Sequence, residues 1–229
     1  MHEGRISTLS LQKQELALAR EPEDYSRKFR YNQRRELRLL EEQGGELLPF
    51  TELSSSEQAK IYSDLFEKRW GFATPGKERL ADVLELLRPY LVGSYICVNG
   101  QPAAAQILYR VESPDWISVE YINGGVDPQF NELSPGSVLT WVNTQAEWEH
   151  ARAQGKALRY SFGRADREYK DRWCQRRSLS EPDRANGAIK YRNAGARALL
   201  QDKYGHQIMG VSGSRFDRQA HYDLGSARG

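Results

Sequence analysis

The sequence is poor in the residues that build metal sites and disulfides. It contains 2 cysteines and 4 histidines in 229 residues. Cys97 and Cys174 lie in unrelated contexts, so we expect neither a disulfide framework nor a cysteine pair that binds a metal. No histidine has a carboxylate or cysteine at metal-ligand spacing, so we expect no metal site. The motifs of dinucleotide-binding proteins, P-loop nucleotidases, zinc proteases and nucleophile-elbow hydrolases are also absent.

Long apolar runs and a strong excess of one charge are missing too. No segment approaches the roughly 20 apolar residues that cross a bilayer, and residues 1–10 have no apolar signal-peptide core. We therefore expect a cytoplasmic location. Lys plus Arg total 33 against 31 for Asp plus Glu, a net charge of +2. This balance argues against a nucleic-acid partner and requires any basic site to be local.

Hydrophobic residues make up 39% and charged residues 28% of the chain, a composition that predicts a folded core. The spacing of apolar residues predicts helices over 24–42, 55–69 and 76–88, with a short strand near 47–50. A capping box at Ser54 to Glu57 precedes the second helix.

The middle of the chain predicts strands. Residues 92–98 and 103–111 flank Asn99-Gly100, a strong signal for a tight hairpin turn. A third strand is predicted over 116–122, which gives an antiparallel three-strand meander.

A helix is predicted from Ser134, with Ser134 as its N-cap, and a strand follows over 157–162. A strand, loop, helix and strand in this order normally place the two strands parallel. A short helix over 166–173 and another near 190–203 complete the prediction. The fold class is α/β (α+β): a mixed, mostly antiparallel sheet flanked by helices, with N-terminal helices and a loosely packed C-terminal tail.

The start of the helix at Ser134 is a candidate anion site. Free amides and the helix dipole at such a terminus favour phosphate, and Gly136 leaves room for close approach. The alternative is an ordinary capped helix.

A basic stripe is predicted on the first helix. Arg27, Arg30, Arg34 and Arg38 are three or four residues apart and therefore share a face that suits anionic lipid headgroups or a lipopolysaccharide phosphate. The alternative is a solvated face balanced by neighbouring glutamates.

Other candidates for chemistry are scattered. Glu120 on the third strand could take a proton from an amine, with Asp115 and Asp127 as rivals, or it could be a solvated strand residue. Gly163 and Arg164 follow a strand end, where crossover folds place ligands, although solvated surface charges are a commoner explanation for such arginines.

Six segments together resemble the Mig-14 family. They are Phe-Arg-Tyr-Asn-Gln-Arg-Arg (29–35), Leu-Phe-Glu-Lys-Arg-Trp-Gly (65–71), Val-Glu-Ser-Pro (111–114), Ser-Val-Glu-Tyr-Ile-Asn-Gly-Gly-Val-Asp (118–127), Ser-Pro-Gly-Ser-Val-Leu-Thr (134–140) and Tyr-Ser-Phe-Gly-Arg-Ala-Asp-Arg-Glu-Tyr-Lys-Asp-Arg-Trp-Cys (160–174). The resemblance covers about residues 10–177.

This resemblance implies a fold related to the GNAT-like and FemAB-like acyltransferases and a role in bacterial resistance to cationic antimicrobial peptides. The expected reaction transfers an acyl group from acyl-CoA or acetyl-CoA to an amine of an envelope component. Tyr169 would protonate the leaving thiolate, although a packing role is the alternative. The expected cofactor-binding residues are Ser134, Pro135, Gly136, Ser137, Gly163 and Arg164.

The resemblance also bears on organisation and location. It implies a GNAT-like domain over 1–177, corresponding to the C-terminal half of the family's usual length, and a polar, partly helical tail over 178–229. Peripheral association with the inner membrane is expected. The alternative function is a non-catalytic adaptor with a degenerate acyltransferase fold, which would bind anionic lipid or an envelope-synthesis partner.

Overall fold

A computed structural model describes residues 9–182, 184–185 and 188–189, with side chains described over 15–178. The described residues divide into two units, one of residues 11–180 and the other including residues 9–10, 181–182, 184–185 and 188–189. In the second unit, β9 (Arg184–Ala185) and β10 (Ala188–Ile189) pair antiparallel. The domain limits expected from the sequence stay a prediction, and the helix expected near 190–203 lies outside the described residues.

The larger unit is built on one sheet with the strand order β2-β4-β5-β6-β7-β1-β8, and β3 pairs with β5. The parallel pair is β6 with β7, whereas the other pairs with a described register are antiparallel. The strands are β1 (Leu9–Ala19), β2 (Gly45–Pro49), β3 (Leu91–Val92), β4 (Ser94–Val98), β5 (Gln101–Glu112), β6 (Trp116–Val126), β7 (Ala157–Arg164) and β8 (Cys174–Pro182).

The described residues form four α-helices beside the sheet: α1 (Arg27–Glu42), α2 (Ser55–Trp70), α3 (Lys77–Leu86) and α4 (Pro135–Ala153). Helix α2 begins at the predicted capping box, in which the Ser54 side chain accepts from the Glu57 amide and the Glu57 side chain accepts from the Ser54 amide. The predicted fold class is therefore confirmed: a mixed, mostly antiparallel sheet flanked by helices.

The core lies on both faces of the sheet, because successive side chains of a strand point to opposite faces. On β4, Tyr95 and Cys97 join a cluster that includes Leu65 and Leu84 of α2 and α3. Ile96 and Val98 instead join a cluster with Leu139 of α4 and residues of α1. The sheet therefore separates α2 and α3 from α1 and α4.

The hairpin and the crossover are confirmed. Asn99 and Gly100 have φ values of 51° and 76°, as the tight turn between β4 and β5 requires. Helix α4 connects β6 to the parallel β7, as the order of elements predicted.

Several predicted elements differ from those observed. β1 and β8 were not predicted, and β6 extends past the predicted end at residue 122 to Val126. The predicted helix over 166–173 is a 3-10 turn over Glu168–Arg172. No helix in the described part of the chain is both long and apolar enough to span a membrane. Within the same part, no group of histidine, cysteine and acidic residues could hold a metal ion.

Candidate functional site

β6 and β7 are paired over only part of their length. Their parallel register runs from Trp116 opposite Ala157 to Glu120 opposite Ser161. Beyond this point β6 continues beside β5 alone, with a shift in register between the pairs that involve Tyr121 and Asn123. The far end of β6 therefore has one edge without a described β7 partner.

A cavity of about 550 Å³ adjoins this end of β6. Its walls come from β5 at residues 104–106, from β6 at residues 124–126 and from the first turns of α4. The turn after β7 adds Tyr169, Arg172 and Trp173, and the end of α2 adds Arg69. A volume of this size is typical of small-molecule sites.

The charge in the cavity wall is positive. Arg69 and Arg172 line the cavity, and no Asp, Glu or His of the described chain does. The Arg69 guanidinium carbon lies 4.9 Å from the Trp70 ring centroid, and that of Arg172 lies 5.4 Å from the Phe29 centroid. Stacking on an aromatic ring orients the planar guanidinium and leaves its edge available to an anion.

Two tyrosines add hydroxyl groups to the same wall. Burial raises the pKa of the Tyr121 hydroxyl, nearby Tyr169 raises it further, and Arg69 lowers it. Tyr121 therefore stays protonated at neutral pH and can donate a hydrogen bond. Tyr169 is 58% exposed and lines the cavity from the turn after β7.

The start of α4 contributes Gly136 and Ser137 to the cavity, but Ser134 and Pro135 are not among its lining residues. Ser134 is the N-cap of α4, as predicted, but it is in the left-handed region with φ 50° and its side chain makes no capping hydrogen bond. The Ser134 carbonyl instead accepts from the amides of Ser137 and Val138. These bonds reduce the number of amides available to an anion.

Packing explains the glycine at this helix start. A Cβ on Gly136 would lie 2.8 Å from Cγ2 of Val126, so only glycine lets α4 approach β6 this closely. The Ser137 hydroxyl donates to Oε1 of the buried Gln33 at 3.3 Å, which connects α4 to α1.

The other predicted site residues on the sheet do not line the cavity. Glu120 lies 2.8 Å from the guanidinium of Arg159. Gly163 has φ 74° near the end of β7, and the carbonyl of Arg164 accepts from Lys170 Nζ at 2.6 Å. Asp127, a rival of Glu120, is buried and its carboxylate lies 2.5 Å from Lys68 Nζ. The catalytic and cofactor-binding roles of Glu120, Gly163 and Arg164 stay predictions.

The four arginines of the basic stripe on α1 do not share one environment. Arg30 points back to the preceding turn, where its Nη1 donates to the carbonyls of Pro22, Glu23 and Tyr25. Arg27, Arg34 and Arg38 are exposed. Arg30 therefore stabilises the entry to α1, and its predicted contact with an anion would require those bonds to break.

The outward face of α1 contains further residues that were not predicted. Lys28 and Arg35 are exposed on it, and so are the apolar side chains of Tyr31 and Leu39, at 58% and 38%. Their helical spacing from Arg27 and Arg38 could have identified them.

Arg69, Arg172 and Gln106 were also missed as site residues. The first two lie inside segments that resemble the family, but a segment alone does not show which side chain faces a cavity. Gln106 lies within the mostly apolar stretch 102–109 of β5, and no local signal distinguishes it.

Comparisons with known proteins bear on the family. No curated protein sequence matches the chain significantly. One solved structure, described as the C-terminal domain of a lysylphosphatidylglycerol synthetase from Agrobacterium fabrum, is 13% identical with a TM-score of 0.49; the match covers 85% of this chain and 64% of that one. An acetyltransferase from Trypanosoma brucei is 15% identical with a TM-score of 0.34, over 79% of this chain and 98% of that one. The chain thus spans less than two thirds of the Agrobacterium domain, and at these TM-scores neither likeness bears on ligands.

The family profile gives the decisive comparison. The Mig-14 profile matches residues 1–180, which is more than half of the chain and includes all six segments noted in the sequence. The chain therefore belongs to the Mig-14 family.

Proposed function

We propose that this protein is an acyltransferase that binds acyl-CoA or acetyl-CoA in the cavity beside β6 and transfers the acyl group to an amine of an envelope component. The observation that supports this function best is a cavity of about 550 Å³ whose charged lining residues are Arg69 and Arg172, without a lining carboxylate in the described chain. Such a wall suits an anionic ligand with an uncharged reactive end. Family membership gives the proposed biological role, resistance to cationic antimicrobial peptides.

The lining residues fit this ligand. Arg69 and Arg172 would contact its phosphates, and Gly136 and Ser137 would flank it at the start of α4. Bound acyl-CoA would supply an activated thioester: a C–N bond forms, the C–S bond breaks, and one proton passes overall from the amine to the sulfur. Tyr169 would provide a hydroxyl proton at the exposed side of the cavity.

The amine must also lose a proton, and no carboxylate among the described residues lines the cavity for this task. Glu120 would have to act from outside the lining, away from its partner Arg159. We therefore propose that Glu120 acts as the base either through a bridging water or after the Arg159 side chain has moved away from it.

Thermal unfolding with and without CoA and acetyl-CoA tests the proposal. A ligand at about 100 times its Kd stabilises by roughly 2.7 kcal/mol, which corresponds to a rise in Tm of about 5 to 10 °C at this chain length. The rise should be lost in the double variant Arg69→Ala/Arg172→Ala. It should persist in Lys60→Ala/Arg79→Ala, which removes two exposed cations outside the cavity wall. A cooperative transition that neither ligand shifts would exclude the proposal.

A second candidate is a non-catalytic adaptor that binds anionic lipid at the cytoplasmic face of the inner membrane. The observation that favours it is the outward face of α1, where Arg27 and Arg34 lie one helical turn from exposed Tyr31 and Arg38 lies one turn beyond Arg34. Cations around an aromatic side chain are typical of helices that lie on a membrane surface. A lipopolysaccharide precursor with exposed phosphates offers the same chemistry.

Vesicle sedimentation tests the adaptor. Binding to vesicles with anionic phosphatidylglycerol should fall steeply with salt, because exposed charges are screened over about 10 Å at 0.1 M. CoA should have no effect. Equal binding to neutral phosphatidylcholine vesicles would contradict it.

A further inference from the structure

A chain of buried and partly buried hydrogen bonds beside the cavity connects β4, α4 and β5. The Ser94 amide donates to Oδ1 of Asn143 at 2.9 Å, and Nδ2 of Asn143 donates to Oε1 of Gln106 at 3.0 Å. Nε2 of Gln106 then donates to Oγ1 of Thr140 at 2.8 Å, and the Thr140 hydroxyl donates to the Gly136 carbonyl at 2.8 Å.

The direction of this chain is fixed at both ends by the backbone. The Ser94 amide can only donate, so the oxygen of Asn143 must face it and the nitrogen must face Gln106. The Gly136 carbonyl can only accept, so the Thr140 hydroxyl must donate its one hydrogen to that carbonyl. The hydroxyl oxygen must then accept from Gln106. Both requirements orient the Gln106 amide in the same way, with its nitrogen towards Thr140.

One hydrogen of Gln106 is left over. An amide nitrogen carries two hydrogens, and Thr140 takes one of them. The other has no acceptor in the described part of the chain. Gln106 is 4% exposed and lines the cavity, as does Thr140. A buried donor is costly to leave unpaired, so a fixed, unpaired donor at a cavity wall indicates a ligand acceptor.

Two glycines lie beside the side chains of Asn143 and Gln106. A Cβ on Gly93 would come within 3.3 Å of both the nitrogen and the oxygen of the Asn143 amide. A Cβ on Gly124 would meet Cγ of Gln106 at 3.4 Å and the Tyr121 hydroxyl at 2.6 Å. The absence of a side chain at Gly93 therefore allows Asn143 to approach the backbone, and Gly124 packs against the side-chain stem of Gln106.

We infer that Gln106 contacts the substrate directly: its second Nε2 hydrogen donates a hydrogen bond to the acyl carbonyl oxygen of the bound thioester. This inference rests on the proposed acyltransferase function and assigns a residue within that site. Negative charge develops on this oxygen during acyl transfer, so an oriented donor stabilises the transition state as well as the bound substrate. Asn143 and Thr140 are positioning residues, since they act through Gln106.

Acetyl-CoA and CoA form a matched pair of probes, because only acetyl-CoA has the acyl carbonyl of a thioester. Isothermal titration should show the wild-type chain binding acetyl-CoA on the order of fivefold more tightly than CoA, the effect of one hydrogen bond. In Gln106→Met this ratio should fall to about one while the Kd for CoA is unchanged. Gln43→Met, at an exposed position after α1, should keep the wild-type ratio.

The outcomes separate the two proposals. Failure of the wild-type chain to bind either probe overturns the acyltransferase function and this inference with it. Binding of both probes with a ratio that is the same in Gln106→Met overturns the inference alone.

A measurement on the wild-type chain covers the case in which Gln106→Met does not fold. The side-chain amide of Gln106 gives a pair of NMR signals in ¹⁵N-labelled protein. Acetyl-CoA should move one of the two proton signals downfield, and CoA should not. Equal shifts with both ligands would contradict a contact to the carbonyl.

Discussion

The carboxylate of Glu120 shows how a single ion pair constrains a candidate base. It lies 2.8 Å from Arg159, and the two side chains are 40% and 37% exposed. An exposed pair of this kind contributes about 0.2 to 1 kcal/mol. Glu120→Gln should therefore lower the free energy of unfolding by less than about 1 kcal/mol in urea titration. Because Glu120 does not line the cavity, the Tm rise produced by CoA should be unchanged. Loss of that rise would place Glu120 at the ligand.

Glu112 gives a prediction about pH. The hydrogen bond from His150, then that from Lys156, and the charge of Arg110 lower the pKa of Glu112 from 4.5 to about 2. A carboxyl whose pKa is lowered by folding contributes stability above its unfolded pKa and loses it as pH falls through its folded pKa. The stability gap between the wild type and Glu112→Gln should therefore be largest above pH 4.5 and shrink towards pH 2. Urea midpoints at several pH values measure it, with Glu41→Gln as an exposed control. A gap that does not change with pH would contradict this prediction.

At the scale of elements, Gly125 sets how closely β6 lies against α2. A Cβ there would be 2.6 Å from Cβ of Leu65 and 2.8 Å from backbone atoms of Leu65 and Phe66, which cannot move without moving the helix. Gly125→Ala should therefore destabilise the fold by about 1 to 3 kcal/mol. At Gly124 the nearest atom is the hydroxyl of Tyr121 at 2.6 Å, and the nearest backbone atom, the Ala105 carbonyl oxygen, is 3.2 Å away. Gly124→Ala should therefore lower the free energy of unfolding by less than Gly125→Ala does. Equal losses in urea titration would show that the close contact between β6 and α2 does not determine the effect of these substitutions.

The elements that the sequence predicted are those with local causes. The capping box at Ser54 and the turn at Asn99-Gly100 involve residues close in the chain, so their patterns are complete in the sequence. β1 has no such signal, because its residues favour helix by intrinsic propensity and its pairing partner in β7 is more than 140 residues away. Long-range pairing overrode local preference there.

The candidate site was predictable to a smaller extent. The sequence identified the start of α4 and Tyr169, and the structure places Gly136, Ser137 and Tyr169 in one cavity wall. It could not identify Gln106, since the bonds that orient this side chain come from Asn143 and Thr140 on another element. A site assembled from several elements is visible only after they have packed.

At the scale of the whole molecule, a net charge of +2 gives little long-range attraction for anions. Any strong binding must therefore come from local groups. Two such groups lie in the described part of the chain: the cavity arginines and the outward face of α1. If the two act independently, Arg69→Ala/Arg172→Ala should lose the response to CoA and keep binding to anionic vesicles. Arg34→Glu/Arg38→Glu should lose binding to anionic vesicles and keep the response to CoA.

A charge-matched control separates local from total charge. Lys60→Glu/Arg79→Glu changes the net charge as much as Arg34→Glu/Arg38→Glu does, but on exposed positions of α2 and α3. It should retain vesicle binding in sedimentation at 0.1 M salt and the Tm rise with CoA. If this control loses vesicle binding to the same extent, net charge governs the association, and α1 is not the membrane-binding face. If one arginine pair abolishes both activities in a chain that still unfolds cooperatively, the two surfaces act as one site.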